Sequence, residues 1–317
     1  MNHLDNINDR ISVVIRSAGE RTEFLCKELV LAQGIHADNI AIIRKAPFSL
    51  ALQASYEAGM AFNRPWTLCL DADVLLLPDS IHRMVYHAEH QGSSIFEVQG
   101  LVLDKFFGGP REAGNHVYRT SLLNRALACI PQDPTNSRPE WTTLIAMKSQ
   151  GFAWRRMNHP VGLHDFEQYY SDIFRKCFIQ AHKHKEFAEI FVSYWPQQAI
   201  ADYDYQVALK GYIEGLEFAG EVLIDARQDI YRERFERLHI DEKPELPPAY
   251  FSPSDIDLLV KNWQEPAVYH KYFHYEMAYK KKFAEKKKAL GLVKLLPSLL
   301  GWSLEFAGGK IRKLVEK

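Results

Sequence analysis

The chain has 317 residues, 47% of them hydrophobic, and a formal net charge of -1. That length supports one large domain or two ordinary ones with a real core, and the near-neutral balance singles out no charged partner for the chain as a whole. The four cysteines, Cys26, Cys69, Cys129 and Cys177, form no C-x-x-C pair, which excludes zinc ribbons and thioredoxin-type redox sites and fits a reducing, cytoplasmic compartment.

The opening stretch MNHLDNINDR lacks the apolar segment of a signal peptide. The first expected element is a strand over 11–15, a continuous β-branched run of the kind buried on both faces. A helix over 21–33 follows, closed by Gly34, then a short strand in NIAIIRKAP and a helix in FSLALQASYEAGMAF. WTLCLDAD reads as a third strand, and Pro78 opens another helix, where a first-turn proline is tolerated. Alternation of strand and helix argues for an α/β fold with a mostly parallel sheet and helices on both faces. Ligands in that architecture bind beyond the carboxyl ends of strands, which is where Asp71 and Asp73 fall.

Further along, SSIFEVQGLVLDKFF reads as strand, GGPREAGNH as a glycine-rich loop, and VYRTSLLNRALACI as a lead into a helix. PEWTTLIAMKSQG is a helix closed by Gly151, FAWRRMNHPVGLHD is strand-like, and a long aromatic-rich helix begins at FEQYY. The HKH at 182–184 is expected on an exposed, solvated helix face. From about residue 190 the pattern is helical, broken by DEKPELPPAYFSPSD. From 268 to 317 there are twelve Lys/Arg and four Glu, a net of +8, so the remainder carries -1 - 8 = -9. The lysine-rich tail then turns apolar, with Pro297 and Gly301 interrupting it. It is too short to span a bilayer and reads as an interfacial segment facing an anionic surface. A docked helix or a dimer contact explains it equally. Lysines without interleaved arginines or a defined motif argue against nucleic acid.

Two carboxylates at i and i+2 on a strand point the same way and repel unless a cation sits between them. Oxygen ligands suit Mg2+ or Mn2+, whose shells are often completed by water and substrate phosphates. The alternative is one helix-capping Asp and one solvated Asp.

SVVIRSAGERT, LCLDADVLL, the glycine-rich loop and PEW…G…HD, together spanning roughly 11–170, resemble the GT-A nucleotide-sugar glycosyltransferases and are most similar to the large inverting group called family 2. The resemblance implies a Rossmann-like catalytic domain over 1–190; the pattern beyond it gives a helical extension over 191–267 and the amphipathic tail over 268–317. It implies Asp73 as direct metal ligand, Asp71 at the ribose or a metal-bound water, and His164, next to Asp165, as a third ligand. Glu140 matches the carboxylate that deprotonates the acceptor hydroxyl, although the second acid of the usual pair is Trp141 here. Arg16, Ser17, Glu20 and Arg21 fall beside the nucleotide, and Gly114 and Asn115 at the sugar, where turn chemistry alone also accounts for the glycine. Arg44 and Lys45 stand where the group usually carries an acid near the base, and either meet phosphate or lie on the surface.

The activity so implied is metal-dependent transfer of a sugar from a nucleoside-diphosphate donor to a glycan or lipid-linked hydroxyl acceptor, in cell-surface polysaccharide or glycolipid synthesis, on the cytoplasmic side and with possible membrane association. Inversion is implied; retention is the other course open to a D-x-D enzyme with a late histidine. Two other classes compete. A sugar nucleotidyltransferase needs a glycine-rich loop after the first strand, and RSAGERT has only Gly19. A non-catalytic scaffold on the same fold is distinguished by absence of metal-dependent nucleotide binding.

Overall fold

The computed structural model describes residues 6–133 and 136–274. The expected tail segment over 268–317 therefore lies almost entirely outside the described residues. Eight strands form one sheet: β1 (Ile11–Arg16), β2 (Ile40–Ile43), β3 (Trp66–Asp71), β4 (Val74–Leu76), β5 (Ile95–Asp104), β6 (Gly109–Glu112), β7 (Asn115–Arg119) and β8 (Ala153–His164). Their spatial order is β2-β1-β3-β7-β5-β8-β4, with β6 on β5.

The β-branched run behaves as its composition dictates. Ile11, Val13 and Ile15 pack on one face with Leu25, Leu29, Leu68 and Leu70. Val14 and Cys69 pack on the other with Leu52, Tyr56, Phe96 and Tyr118. Fully burying a large aliphatic side chain stabilises by about 1.5–3 kcal/mol, so β1 and β3 are rigid supports for whatever their ends carry. Helices Glu23–Leu31 and Ser80–Glu89 cover the first face; Phe48–Phe62 and Pro139–Ser149 cover the second.

The sheet is mixed rather than mostly parallel. Among the described residues β1 pairs parallel with β2 and β3, and β5 with β8. The other four pairings, β3–β7, β4–β8, β5–β6 and β5–β7, are antiparallel. The expectation of a loop failed at residues 108–116. GGPREAGNH is not a loop: it forms β6, a tight turn at Ala113–Gly114 and the start of β7, which runs back between β3 and β5.

Beyond residue 190 the described chain is a series of helices joined by irregular stretches, the longer ones being 218–228 and the proline-rich segment before Pro253–Asn262. Its aromatic core joins helix Tyr170–Lys183, through Phe174 and Phe178, to Trp195, Tyr205, Tyr212, Tyr231 and Phe235. Helices Tyr170–Lys183 and Tyr203–Glu217 approach closely because Gly211 and Gly215 leave room: a Cβ at either would stand 2.4 Å from the carbonyl oxygen of Phe174 or Phe178. The HKH stretch is not solvated as expected. His182 Nε2 meets the Gly215 carbonyl oxygen at 2.7 Å, and His184 Nδ1 meets Arg138 Nη2 at 2.8 Å. No helix among the described residues is long and apolar enough to cross a membrane.

Candidate metal and nucleotide site

Extended alternation would leave Asp71 and Asp73 side by side, but the strand does not continue through them. β3 ends at Asp71, Ala72 and Asp73 make a turn, and β4 begins at Val74. The backbone is fixed there by Ala72 N–H on the Arg16 carbonyl at 2.9 Å and Thr22 Oγ1 on the Ala72 carbonyl at 2.8 Å. The turn sends the two carboxylates to different partners.

Asp71 joins a cluster reaching under the sheet. Arg16 Nε donates to Asp71 Oδ1 and Arg16 Nη1 to Glu140 Oε1, both at 2.7 Å. Tyr118 Oη donates to the same Glu140 oxygen at 2.6 Å, while His116 Nε2 lies 2.9 Å from Glu140 Oε2 and its Nδ1 lies 2.7 Å from Glu97 Oε1. Burial alone would raise the Glu140 carboxyl, yet Arg16 and His116 hold it well below the usual carboxylate range. Burial works against the His116 imidazolium too, but Glu140 and Glu97 push its pKa up to about 10. Asp71 itself is raised by burial, with Arg16 opposing, and its side chain stays 28% exposed.

This arrangement gives Glu140 three partners. A carboxylate whose charge Arg16, Tyr118 and His116 already stabilise is a weak proton acceptor. What it does is fix Arg16 against Asp71. Arg16 keeps Nη2 without a hydrogen-bond partner.

Asp73 faces a second cluster at the end of β8. Its Oδ2 takes the Lys176 ammonium, which also donates to Asp165 Oδ1 at 2.6 Å. Its Oδ1 is buried with no hydrogen-bond partner and faces His164 Nε2 at 3.6 Å. His164 Nδ1 is 2.7 Å from Asp104 Oδ2 and 3.1 Å from Asp165 Oδ2. Asp104 in turn accepts from Arg111 Nε at 2.6 Å and, through Oδ1, from the N–H groups of Phe106 and Phe107 at 3.0 and 2.9 Å. Burial would raise Asp104, but Arg111 and His164 keep it low.

Asp73, His164 and Asp165 each offer one ligand atom within 4.8 Å of the others. Opposite ligands of a small octahedral cation at about 2.1 Å stand about 4.2 Å apart, so the span suits one ion. An orphaned carboxylate oxygen and an imidazole whose far nitrogen is tied to a carboxylate are what a ligand set with its supporting shell requires. These residues fit a divalent cation. Asp71 is not among the three.

The other expected residues divide. Ser17 closes its own turn, donating to Glu20 Oε2 at 2.9 Å and accepting Gly19 N–H at 3.0 Å. Burial and nearby Asp73 push Glu20 up to about 6, which keeps it electrostatically part of the second cluster. Arg21 is spent elsewhere, on the Pro244 carbonyl at 2.7 Å and Glu167 Oε2 at 2.9 Å, so it ties down the 240s segment. Gly114 sits at φ +61°, and a Cβ there would stand 2.7 Å from Val74 Cγ2 and 3.1 Å from Asp71 Oδ2, so it does border the site. Asn115 is fully buried and clasps the backbone of Gly100 and Ala113. Arg44 is exposed on Glu23, and Lys45 is exposed.

Sequence reading passed over Asp104, Glu97, Arg111, His116 and Lys176. Asp104 carried the same signal as Asp71, an apolar strand ending in an acid, and it pairs in register with His164. Lys176 carried none, since only the fold of helix Tyr170–Lys183 brings it to the strand ends.

No protein-family model matches the chain, and no curated protein matches it. Among solved structures it is similar to a glycosyltransferase involved in glycosylating the major capsid of PBCV-1, at 14% identity and TM-score 0.36 over 50% of this chain and 94% of that one. It is also similar to a cytidylyltransferase of Leptospira borgpetersenii, at 14% identity and TM-score 0.33 over 50% and 82%. A third is a mannosyltransferase of Pyrobaculum calidifontis in complex with GDP-Man and Mn2+, at 12% identity and TM-score 0.38 over 80% and 83%.

Proposed function

We propose that the protein is a divalent-metal-dependent glycosyltransferase that takes a sugar from a nucleoside-diphosphate donor to a hydroxyl acceptor. The observation that carries this reading is the buried Asp73 Oδ1, which has no hydrogen bond and stands 3.6 Å from His164 Nε2 where β3 and β8 end. Asp73, His164 and Asp165 would hold Mn2+ or Mg2+, with Asp104 and Arg111 fixing the imidazole, and an ion so held would supply positive charge against that of a leaving diphosphate. Asp71, whose side chain is 28% exposed, orients the ribose or a metal-bound water. Arg16, held by Glu140, keeps Asp71 in place and offers its spare Nη2.

Residues 1–190 form the catalytic domain in this reading, 191–267 a helical extension sharing its aromatic core, and 268–317 a tail that contacts the membrane where a glycan or lipid-linked acceptor resides. The setting is cytoplasmic synthesis of cell-surface polysaccharide or glycolipid. The inverting course implied by the sequence resemblance is kept, without Glu140 as base.

The test is a panel of nucleotide sugars incubated with the full chain, with and without Mn2+. Release of nucleoside diphosphate only when the metal is present supports the reading, and the anomeric configuration of the product by NMR tests inversion. Release that ignores the metal, or none from any donor, refutes it.

A further inference from the structure

A cation already belongs to the proposed metal site. Lys176, partly buried on helix Tyr170–Lys183, donates to Asp73 Oδ2 and to Asp165 Oδ1. These are two of the three candidate ligands. Its neighbour Arg175 is taken up by Asp172 at 2.8 Å and does not share the role. An ammonium and a divalent ion drawing on the same two carboxylates repel strongly at such distances, so both are not held there together. The lysine has the means to leave. Its side chain is 18% exposed, and a flexible four-carbon stem carries the charge as a point that moves without disturbing the backbone.

We propose that Lys176 is the exchange partner of the divalent ion: it neutralises Asp73 and Asp165 while the site is empty of metal and swings out when the metal enters. This rests on the metal reading above and adds a consequence to it. The bare protein binds a divalent cation weakly because the ion must displace a built-in one, and the released ammonium is left beside the phosphates that accompany the metal. Lys176 thus sets how firmly the ion is held before donor arrives.

Titration of the full chain with Mn2+ alone, followed by electron paramagnetic resonance and calorimetry, tests this. Lys176→Met is expected to bind Mn2+ at least 10-fold more tightly than the wild type, and Lys176→Arg, which restores a cation, to return to wild-type affinity. A merely structural lysine gives the opposite order, with tighter binding in neither variant. Should Lys176→Met fail to fold, judged by circular dichroism, Lys176→Gln serves the same comparison. Equal or weaker Mn2+ binding in the folded neutral variant overturns the exchange while leaving the metal site standing. Mn2+ bound by neither wild type nor variant overturns the metal reading, and the exchange with it.

Discussion

The roles of single residues here follow from which partner each acid finds. Glu140 was legible as an acid at a helix start, and the macrodipole favours it there. Nothing in the sequence announces that Arg16, His116 and Tyr118 converge on it from β1 and β7. That convergence makes a stability prediction. Glu140 is held below its usual range, so its contribution is present above the unfolded carboxyl value of about 4.3 and is lost as pH falls. His116 is raised to about 10, so its contribution is full below about 6.5 and is lost as pH rises towards about 10. Removing one partner of a buried pair costs about 3–5 kcal/mol. Urea unfolding of wild type and Glu140→Gln is therefore expected to differ by about that much between pH 4.3 and 6.5, with the gap narrowing on either side. A gap that keeps its size down to pH 3 contradicts the assignment. Kinetically, a positioning role predicts a lower turnover with the acid limb of the pH profile unmoved.

At the level of elements, the central strands β1 and β3 were legible because they are buried on both faces and so read as unbroken apolar runs, ISVVI and TLCL. What escaped was the turn. A glycine-rich segment reads as loop, yet 109–119 pairs on β5 and β3, since two-residue turns need little sequence to signal them. The same limit hid the split of the D-x-D pair: period-two alternation holds only while the strand lasts, and β3 stops at Asp71. Gly114 connects these two lapses. It turns the chain into β7 with φ +61° and leaves the space that Asp71 and Val74 occupy. Gly114→Ala adds a strained backbone and a Cβ against Asp71, and overpacking of that kind costs about 1–3 kcal/mol. We expect a melting temperature lower by several degrees together with weaker nucleotide binding. A variant as stable and as active as the wild type would show that the turn does not shape the site.

For the whole molecule, the alternating α/β order and the placing of the site at strand carboxyl ends were legible from pattern alone. The aromatic core that links helix Tyr170–Lys183 to the helices beyond 190 was not, because a helix face records what it buries but not which helix covers it. Lys176 belongs to that second layer, which is why half of the site's charge balance was invisible in the sequence. The asymmetry of an acidic body and a basic tail also acts at this scale. If the tail contacts an anionic membrane, full-length protein co-sediments with anionic vesicles at low salt and is released by high salt, while a chain ending at residue 274 stays in solution; equal behaviour of the two removes the membrane contact from the proposal.

The central claim is that Asp73 and its neighbours seat a divalent ion that holds a nucleoside diphosphate. Calorimetry of guanosine and uridine diphosphate on the full chain, with and without Mn2+, tests it directly, with Asp73→Asn alongside. Binding of at least one nucleotide is expected to require Mn2+ and to fall by at least about 10–100-fold in Asp73→Asn, the loss that even outer-shell changes at a metal site produce. Nucleotide binding that is indifferent to Mn2+, or unchanged in Asp73→Asn, contradicts it.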